Sequence, residues 1–236
     1  SKDESLLLKN TFGLHPLTTE DLINSNTRIK IEEFNDYLFC VFYGIKISNE
    51  LNEIDFILGK NFIITSHKKE IPSFNELKDN KERLERIFKK GNDFLFHKLL
   101  DMEIDNYFPV LEKIDDQIEK IEEEVAKKPS SQLLSDILKK KRELIHIKKV
   151  TLPQREKISF LTKNEYRFIS KKAIPYFRDI YDHAIRVSDS IDNYREAIAN
   201  TFDVYMSAVS NNMNEVMKTL SIIATIALPL TVISGV

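Results

Sequence analysis

No glycine or proline interrupts residues 176–228, which read YFRDIYDHAIRVSDSIDNYREAIANTFDVYMSAVSNNMNEVMKTLSIIATIAL. Within them, apolar residues recur at alternating spacings of four and three, as at Ile180, Ala184 and Val187. This spacing places them on one side of a helix and, sustained over many turns, is typical of a coiled coil. We therefore predict one continuous helix from Pro175, on the order of 80 Å long at the α-helical rise. A domain of this size cannot cover such a helix, so we expect it to pack against copies of itself or partner chains.

The C-terminal end of this predicted helix has the composition of a membrane segment. Lys218 is the last charged residue, and most of residues 219–236 are apolar. A membrane-spanning helix needs about 20 such residues, so we predict that a first membrane helix begins here and that the complete protein continues past Val236. A buried terminal helix of a soluble core is the alternative, but the apolar run directly extends the long helix, which favours the membrane.

A polar stripe follows one face of the same segment. Its members recur at spacings of three or four residues: Asn214, Met217, Ser221, Thr225, Leu228 and Thr231. Hydroxyl and amide groups are costly against lipid but are tolerated in a bundle interior or along a water-filled path. Close packing of small residues between helices would explain the stripe, and so would a pore that contacts a hydrated cation. The oxygen donors suit a hard ion such as Mg²⁺, which dehydrates reluctantly.

The first part of the chain predicts mixed helix and strand. Thr18 stands three residues before Asp21, as in a capping box that opens a short helix. At least four short strands are predicted from alternating or β-rich runs, at residues 28–32, 37–47, 54–58 and 62–65. Residues 74–90 then read as a helix that ends at Gly91, with Asp93 capping the next helix.

Two oppositely charged helices follow this region. The first has an apolar seam flanked by acidic residues, at Leu111, Ile114, Ile118, Ile121 and Val125. Pro129 ends it, and the second helix carries basic residues at 139–142. The pair fits an antiparallel helical hairpin with complementary charged faces, and it also fits an acidic face that concentrates cations.

Together these patterns predict an α+β fold. An N-terminal α/β domain, with a small mixed sheet and packed helices, precedes an all-α stalk made of the helical hairpin and the very long helix that runs into the membrane. The predicted limits are 1–90 for the α/β domain, 91–174 for the stalk helices, 175–218 for the long stalk helix and 219–236 for the start of the membrane helix.

The residues that could carry chemistry point away from catalysis. The sequence has five scattered histidines, no glycine-rich phosphate loop and a single cysteine, Cys40, inside an apolar run. We predict that Cys40 is a buried apolar residue, which fits a reducing cytoplasm. The formal net charge of −2 gives no support to a nucleic-acid partner. We therefore assign no enzyme activity.

Three stretches resemble the CorA family of magnesium transporters. They are FGLHPLTTED at 12–21 with KIEEFNDYLF at 30–39, PYFRDIYDH at 175–183, and SNNMNEVMK at 210–218 running into SIIATIALPLTVISG at 221–235. The resemblance implies a homopentameric, funnel-shaped channel for Mg²⁺ and Co²⁺ in the inner cell membrane. Each subunit would cross the membrane twice and hold this N-terminal region in the cytoplasm. Family members carry a Gly-Met-Asn motif after the first membrane helix, and that motif would follow Val236.

The resemblance also implies two sets of functional residues. Pore-lining or gating positions correspond to Asn214, Leu220, Thr225, Leu228 and Thr231, with Met217 on the same stripe and an acidic ring at Asp203. Relatives often carry a larger residue, frequently Met, where Leu228 stands.

The second set is a regulatory Mg²⁺ site between subunits. The resemblance implies Glu20 and Asp21 on one side and Asp179 on the other, with Asp101 nearby. Mg²⁺ bound there would act as a regulatory cofactor that closes the channel. From the residues alone, Glu20 and Asp21 also fit ordinary acids in the first turn of a helix, where the helix dipole favours negative charge.

Two other functions fit part of the sequence. A zinc-exporting relative would share the fold and the motifs, and the acids around Asp179 favour the magnesium type over it. A membrane-anchored coiled-coil scaffold without transport would explain the apolar repeat. It would explain neither the polar stripe nor the acids at both edges of the proposed interface.

Overall fold

The computed structural model describes residue 8 and residues 11–24 and 27–235. Its helices and strands follow in the order α1 Pro16–Ile23, β1 Lys30–Glu33, β2 Tyr37–Ile45, β3 Leu51–Gly59, β4 Ile63–Ser66, α2 Pro72–Asp79, α3 Lys81–Phe88, α4 Asn92–Asp105, α5 Tyr107–Lys127, α6 Ser131–Lys163 and α7 Ile174–Ser234. The chain forms two compact units, one of residues 1–113 with 146–191 and one of residues 114–145 with 192–236. The predicted α+β fold class is confirmed.

The four strands form one sheet in the order β1-β2-β3-β4, and every neighbouring pair is antiparallel. The prediction of a mixed sheet is wrong in this respect. Only short connections, at residues 34–36, 46–50 and 60–62, join consecutive strands. A parallel pair needs a crossover of a dozen or more residues, so these connections permit hairpins alone.

One face of the sheet forms the larger apolar core of the first unit. The core residues of the sheet include Leu38, Cys40 and Phe56, all fully buried, and burial raises the pKa of the Cys40 thiol. Phe96 of α4 and Phe177 of α7 pack in the same cluster. The sequence assigns residues 91–174 to the stalk, whereas α4 and the C-terminal part of α6 complete this core because their apolar residues cover the sheet.

Helix α1 covers part of the opposite face, where Leu14, Tyr37 and Phe39 are buried. Its N-cap is His15, and Pro16 occupies the first turn. Thr18 is buried and hydrogen-bonds the Tyr37 hydroxyl at 2.8 Å. The predicted capping box is therefore wrong, because Thr18 already lies inside the helix and serves the core.

The region predicted as one helix over residues 74–90 is two helices, α2 and α3. Asn80 separates them, because its side-chain oxygen accepts a hydrogen bond from the Arg83 backbone N–H and caps α3. Gly91, with φ of 135°, is the N-cap of α4. Asp93 lies within the first turn of α4 rather than at its cap, and it accepts a hydrogen bond from the Ser170 backbone N–H at 2.9 Å.

The break predicted at Pro129 is confirmed, since α5 ends at Lys127 and α6 begins at Ser131. The predicted apolar seam of α5 is buried at each of its five positions, Leu111, Ile114, Ile118, Ile121 and Val125. Lys140 of α6 contacts Gln117 of α5 and also pairs with Glu143 of its own helix at 2.6 Å. These contacts fit the predicted helical hairpin.

Helix α7 is continuous, as predicted. In the first unit it buries Ile180, Ala184, Val187 and Ile191. In the second unit the Thr201 hydroxyl donates a hydrogen bond to Glu122 of α5 at 2.9 Å. From residue 210 to residue 231 every side chain of α7 is exposed. Among the described residues, α7 is the one helix long and apolar enough to cross a membrane, and its most apolar window is not buried.

A buried glutamine joins α6 to the sheet. Strand β1 pairs with β2 only as far as Val41, so the backbone of Tyr43 has no partner strand on that side. Gln154, 1% exposed, replaces the strand: its side chain accepts from the Tyr43 N–H at 2.8 Å and donates to the Tyr43 carbonyl at 3.1 Å. The Tyr107 hydroxyl donates to the same carbonyl at 3.0 Å.

We expect Gln154→Met to destabilise the fold by about 2 kcal/mol, because the variant fills the space but leaves the Tyr43 N–H without an acceptor. Urea unfolding followed by circular dichroism would measure the change. Gln132→Met, at an exposed position of the same helix, is the matched control and should be near neutral. Equal midpoints for the two variants would contradict a stabilising role for Gln154.

Candidate cation sites

The carboxylates of α1 lie in the last turn of the helix rather than the first. The explanation of Glu20 and Asp21 as first-turn acids is therefore wrong, since the helix dipole disfavours negative charge at this end. Glu20 is exposed, and Asp21 pairs with Lys30 of β1 at 2.6 Å. Lys30 also pairs with Glu32 at 3.0 Å. Burial lowers the pKa of Lys30, but the hydrogen bonds to the two carboxylates outweigh it and the pKa is raised.

Two carboxylates of α4 and a histidine of α7 meet within the first unit. Asp101 pairs with Lys98 at 2.6 Å, and potential ligand atoms of Asp101, Asp105 and His183 lie within 4.8 Å of one another. The His183 Nδ1 contacts the Asp105 carboxylate at 2.8 Å. Burial and the charge of Asp101 raise the pKa of Asp105, and His183 opposes the rise. Two carboxylates and an imidazole are a donor set that can hold a divalent cation.

The sequence prediction included Asp101 and missed Asp105 and His183. The available signals were the spacing of four residues between Asp101 and Asp105, and the same spacing between Asp179 and His183. Asp179 is exposed one turn before His183 on α7. Within the described part of the chain, Glu20, Asp21 and Asp179 do not form a three-ligand cluster of this kind.

Five of the seven predicted pore residues share a face of α7. At about 100° per residue, Asp203, Asn214, Met217, Thr225 and Leu228 point within roughly 45° of a common direction. Thr231 and Leu220 point about 80° and about 100° away from it, outside this face. All seven side chains are exposed in the single chain.

The serine and threonine hydroxyls of this segment donate their protons to backbone carbonyls of the same helix. Thr225 donates to the Ser221 carbonyl at 2.7 Å, Ser221 to the Met217 carbonyl at 2.8 Å and Thr231 to the Leu228 carbonyl at 2.9 Å. Each hydroxyl oxygen therefore keeps its acceptor capacity on the outside of the helix. The water around a cation points its protons outward, so a row of acceptors suits a hydrated cation.

From Val216 to Leu230 the surface outside this face is mainly apolar, with Lys218 and Thr219 as polar exceptions. Its exposed side chains include Val216, Ile222, Ile223, Ile226 and Leu230, each more than half exposed. A patch of this size needs cover from lipid or from other protein chains.

A separate cleft opens on strand β3. Asp55 lies in it with 5% of its surface exposed, and its Oδ1 has no hydrogen-bond partner. Burial raises the pKa of Asp55 to about 8, and the negative charges of Glu53 and Asp21 contribute to the increase. Sequence reasoning placed Asp55 inside a predicted strand and assigned it no role.

Comparison with known proteins identifies relatives for the whole chain. The family model described as CorA-like Mg²⁺ transporter protein matches residues 1–236. The cobalt/magnesium transport protein CorA of Thermotoga maritima is 40% identical over 232 residues, which cover 95% of this chain and 66% of that protein. The chain thus spans just under two thirds of that relative. By its name, the relative is a transport protein rather than an enzyme.

Two solved structures have the same fold. The CorA magnesium transporter from Methanocaldococcus jannaschii matches with a TM-score of 0.86 at 19% identity, covering 100% of this chain and 77% of that chain. The ZntB cytoplasmic domain from Vibrio parahaemolyticus matches with a TM-score of 0.74 at 16% identity, covering 90% of this chain and 84% of that one. At these identities the matches establish the fold alone.

The raised pKa of Asp55 predicts a pH dependence of stability. Because the folded pKa lies above the unfolded value of about 4, the folded state holds its proton more tightly, and stability falls as the pH rises from about 4 to 8. At about 1.4 kcal/mol per pH unit over this window, the loss amounts to several kcal/mol.

Asp55→Asn removes this titration, so we expect the variant to be similar to the parent at pH 5 and clearly more stable at pH 9. Thermal unfolding at both pH values, without divalent cations, would measure the difference. Asp36→Asn, at an exposed turn of the same sheet, should follow the parent. A variant that lost stability with pH as the parent does would show that Asp55 is ionised throughout.

Proposed function

The chain belongs to the family of CorA-like Mg²⁺ transporter proteins, and on that basis we propose that the complete protein is a homopentameric channel that carries Mg²⁺ and Co²⁺ through the inner cell membrane. In this proposal the sheet with α1 to α4 and the C-terminal part of α6 is a cytoplasmic α/β domain, and the hairpin of α5 and α6 forms the stalk helices. Residues 175–218 form the pore side of the stalk, and residues 219–236 begin the first of two membrane helices.

The observation that carries the proposal is the face of α7 that bears Asn214 and Thr225, in the exposed part of the helix from residue 210 onward, where the rest of the surface becomes mainly apolar after Lys218. In a pentamer, symmetry repeats that face around a central axis, while the apolar surfaces contact neighbouring subunits and lipid. Asp203 would form a ring of carboxylates that attracts cations, and Asn214 and Thr225 would form rings of oxygen acceptors. Leu228 would supply an apolar constriction of the kind that gates pores by dewetting.

The chemistry of this face supports magnesium over zinc as the cargo. Its donors are carboxylate, amide and hydroxyl oxygens, which suit a hydrated hard ion. Zinc prefers cysteine and histidine, and no cysteine or histidine occurs between residues 184 and 236. The fold does not decide between the ions, since the ZntB cytoplasmic domain shares it.

The exposed carboxylates of the first unit support regulation by intracellular Mg²⁺. We place a cation between subunits, bound by Asp179 of one chain and by Glu20 and Asp21 of a neighbour, with Asp101 nearby. Carboxylates gathered at an interface repel one another, and a divalent cation converts the repulsion into a bridge. Lys30 competes for Asp21, so Glu20 and Asp179 are the readier ligands.

Bound cation would stabilise the closed channel, and loss of the cation would loosen the interface when intracellular Mg²⁺ falls. A cation that binds only the closed state shifts the equilibrium toward that state, by an amount set by the ratio of the Mg²⁺ concentration to the dissociation constant. A site that works in this way must be weak, which fits exposed ligands and a cation that keeps several of its waters.

We expect Asp179→Asn in the complete protein to stay open at internal Mg²⁺ concentrations that close the parent, with the inhibitory concentration raised about tenfold or more. Flux into liposomes at a series of internal Mg²⁺ concentrations would measure the shift. Asp189→Asn, at another exposed position of α7, is the matched control, and cross-linking should show that both variants still form pentamers. Unchanged inhibition would place regulation elsewhere.

The pore face generates a second prediction. Asn214→Leu should reduce Mg²⁺ flux at least tenfold, because it removes a ring of acceptors from the path of a hydrated ion. Asn212→Leu introduces the same change about 160° around the helix and should conduct well. Equal flux through the two variants would contradict a pore along this face.

A further inference from the structure

The cleft on strand β3 lies apart from the residues assigned above to the pore and to the interface. Its volume is about 220 Å³, and it lies beside the C-terminal end of α1, where Leu22 and Asn24 form part of its wall. Strands β3 and β4 supply Glu53, Asp55 and Ser66. Asp55 and Ser66 are paired across the two strands, so both side chains point to the same face of the sheet.

Asp55 is a buried acceptor without a donor. It is 5% exposed and its Oδ1 accepts no hydrogen bond. Among the ion pairs of the described residues none involves Asp55, although Lys30 and Lys68 act on it through their charge. A buried polar atom that is left unsatisfied costs about 1–3 kcal/mol, and a charged one costs more. A small apolar residue would avoid that cost, so the cleft is suited to a ligand that supplies positive charge.

The neighbouring groups hold a second carboxylate in place. The Tyr43 hydroxyl donates to Glu53 at 2.7 Å, and the Thr27 backbone N–H donates to the same oxygen at 2.9 Å. Glu53 therefore faces the cleft in one orientation, with Tyr43 in the wall beside it.

Most of the lysines around the cleft are already engaged by carboxylates outside it. Lys30 is neutralised by Asp21 and Glu32, and Lys69 pairs with Glu50. Of the charged groups in the wall, this leaves Glu53 and Asp55 with Lys68. Glu53 acts on Asp55 through its negative charge, and a cation between the two carboxylates would relieve that repulsion.

We propose that this cleft binds a hydrated divalent cation, with Asp55 as its direct ligand and Glu53 as the second carboxylate. The donors in its wall are mainly oxygens, which hard cations prefer, and the open side leaves room for the waters that Mg²⁺ retains. A bound cation supplies the charge that Asp55 lacks and fixes β3 against the end of α1. The site lies within one chain, so it does not depend on assembly or on the interface at Asp179.

The first test counts bound Mg²⁺ by isothermal titration calorimetry, using the whole chain in detergent with Asp179→Asn present to weaken the proposed interface site. Adding Asp55→Asn should lower the number of Mg²⁺ bound per chain by one, or weaken that binding at least tenfold. Adding Asp36→Asn, the same substitution at an exposed site, should change neither. Equal binding in the two variants would overturn the proposal, as would equally strong competition by K⁺, which would make the site one for monovalent cations.

The second test locates the ion without any substitution at Asp55. Crystals of the chain soaked in Mn²⁺ should show anomalous density in the cleft at coordination distance from the Asp55 carboxylate. Density at Asp101, Asp105 and His183 with none in the cleft would overturn the proposal and leave the regulatory interface untouched.

Discussion

The packing of Phe177 against Phe96 joins the first turns of α7 to the sheet, with ring centroids 5.6 Å apart. Both rings are fully buried, and Ile180 and Ala184 extend the same contact along α7. The positions between these buried residues, including Asp179, are thereby held on the outside of a rigid helix. In the proposed interface site, a cation bound to Asp179 would therefore act on the position of the whole helix, because the opposite side of α7 is packed into the core.

Much of this architecture could be predicted from local patterns. No glycine or proline interrupts α7 between residues 176 and 228, and its apolar spacing persists over many turns. The strands were visible because β2 and β3 are long, apolar and rich in β-branched or aromatic residues, and the α5 seam because its heptad spacing is regular. Periodicity of this kind is a property of the sequence itself.

The errors arose where distant parts of the chain decide the local structure. Thr18 has the sequence pattern of an N-cap, but its hydroxyl hydrogen-bonds the hydroxyl of Tyr37 in the sheet. Asn80 caps α3 and so divides a stretch that composition alone predicts as one helix. Helix α4 and the C-terminal part of α6 belong to the sheet unit because of side chains that meet only after folding. Asp105, His183 and Asp55 were missed for the same reason. Whether each can bind a cation depends on the presence or absence of partners on other elements, which the local sequence does not reveal.

The two kinds of oxygen site also differ in how they treat a cation. The hydroxyls of α7 donate to their own backbone and offer outward lone pairs at the surface of a helix, an arrangement that touches a water shell without removing it. Asp55 is buried, lies near other carboxylates and makes no ion pair with a described residue, an arrangement suited to retaining a cation. Weak outer contact suits passage and enclosure suits occupancy, so in these proposals the helix face conducts cations and the sheet cleft holds one.

The hold of Gln154 on Tyr43 has a consequence for solubility. A strand edge with free N–H and C=O groups recruits strands from other chains and is a common origin of aggregation. Part of β2 extends beyond the reach of β1 and would present such an edge, but Gln154 and Tyr107 occupy its hydrogen-bonding groups. In the proposed assembly, where copies of the chain meet through helices, these contacts would keep the copies from pairing through this part of the sheet.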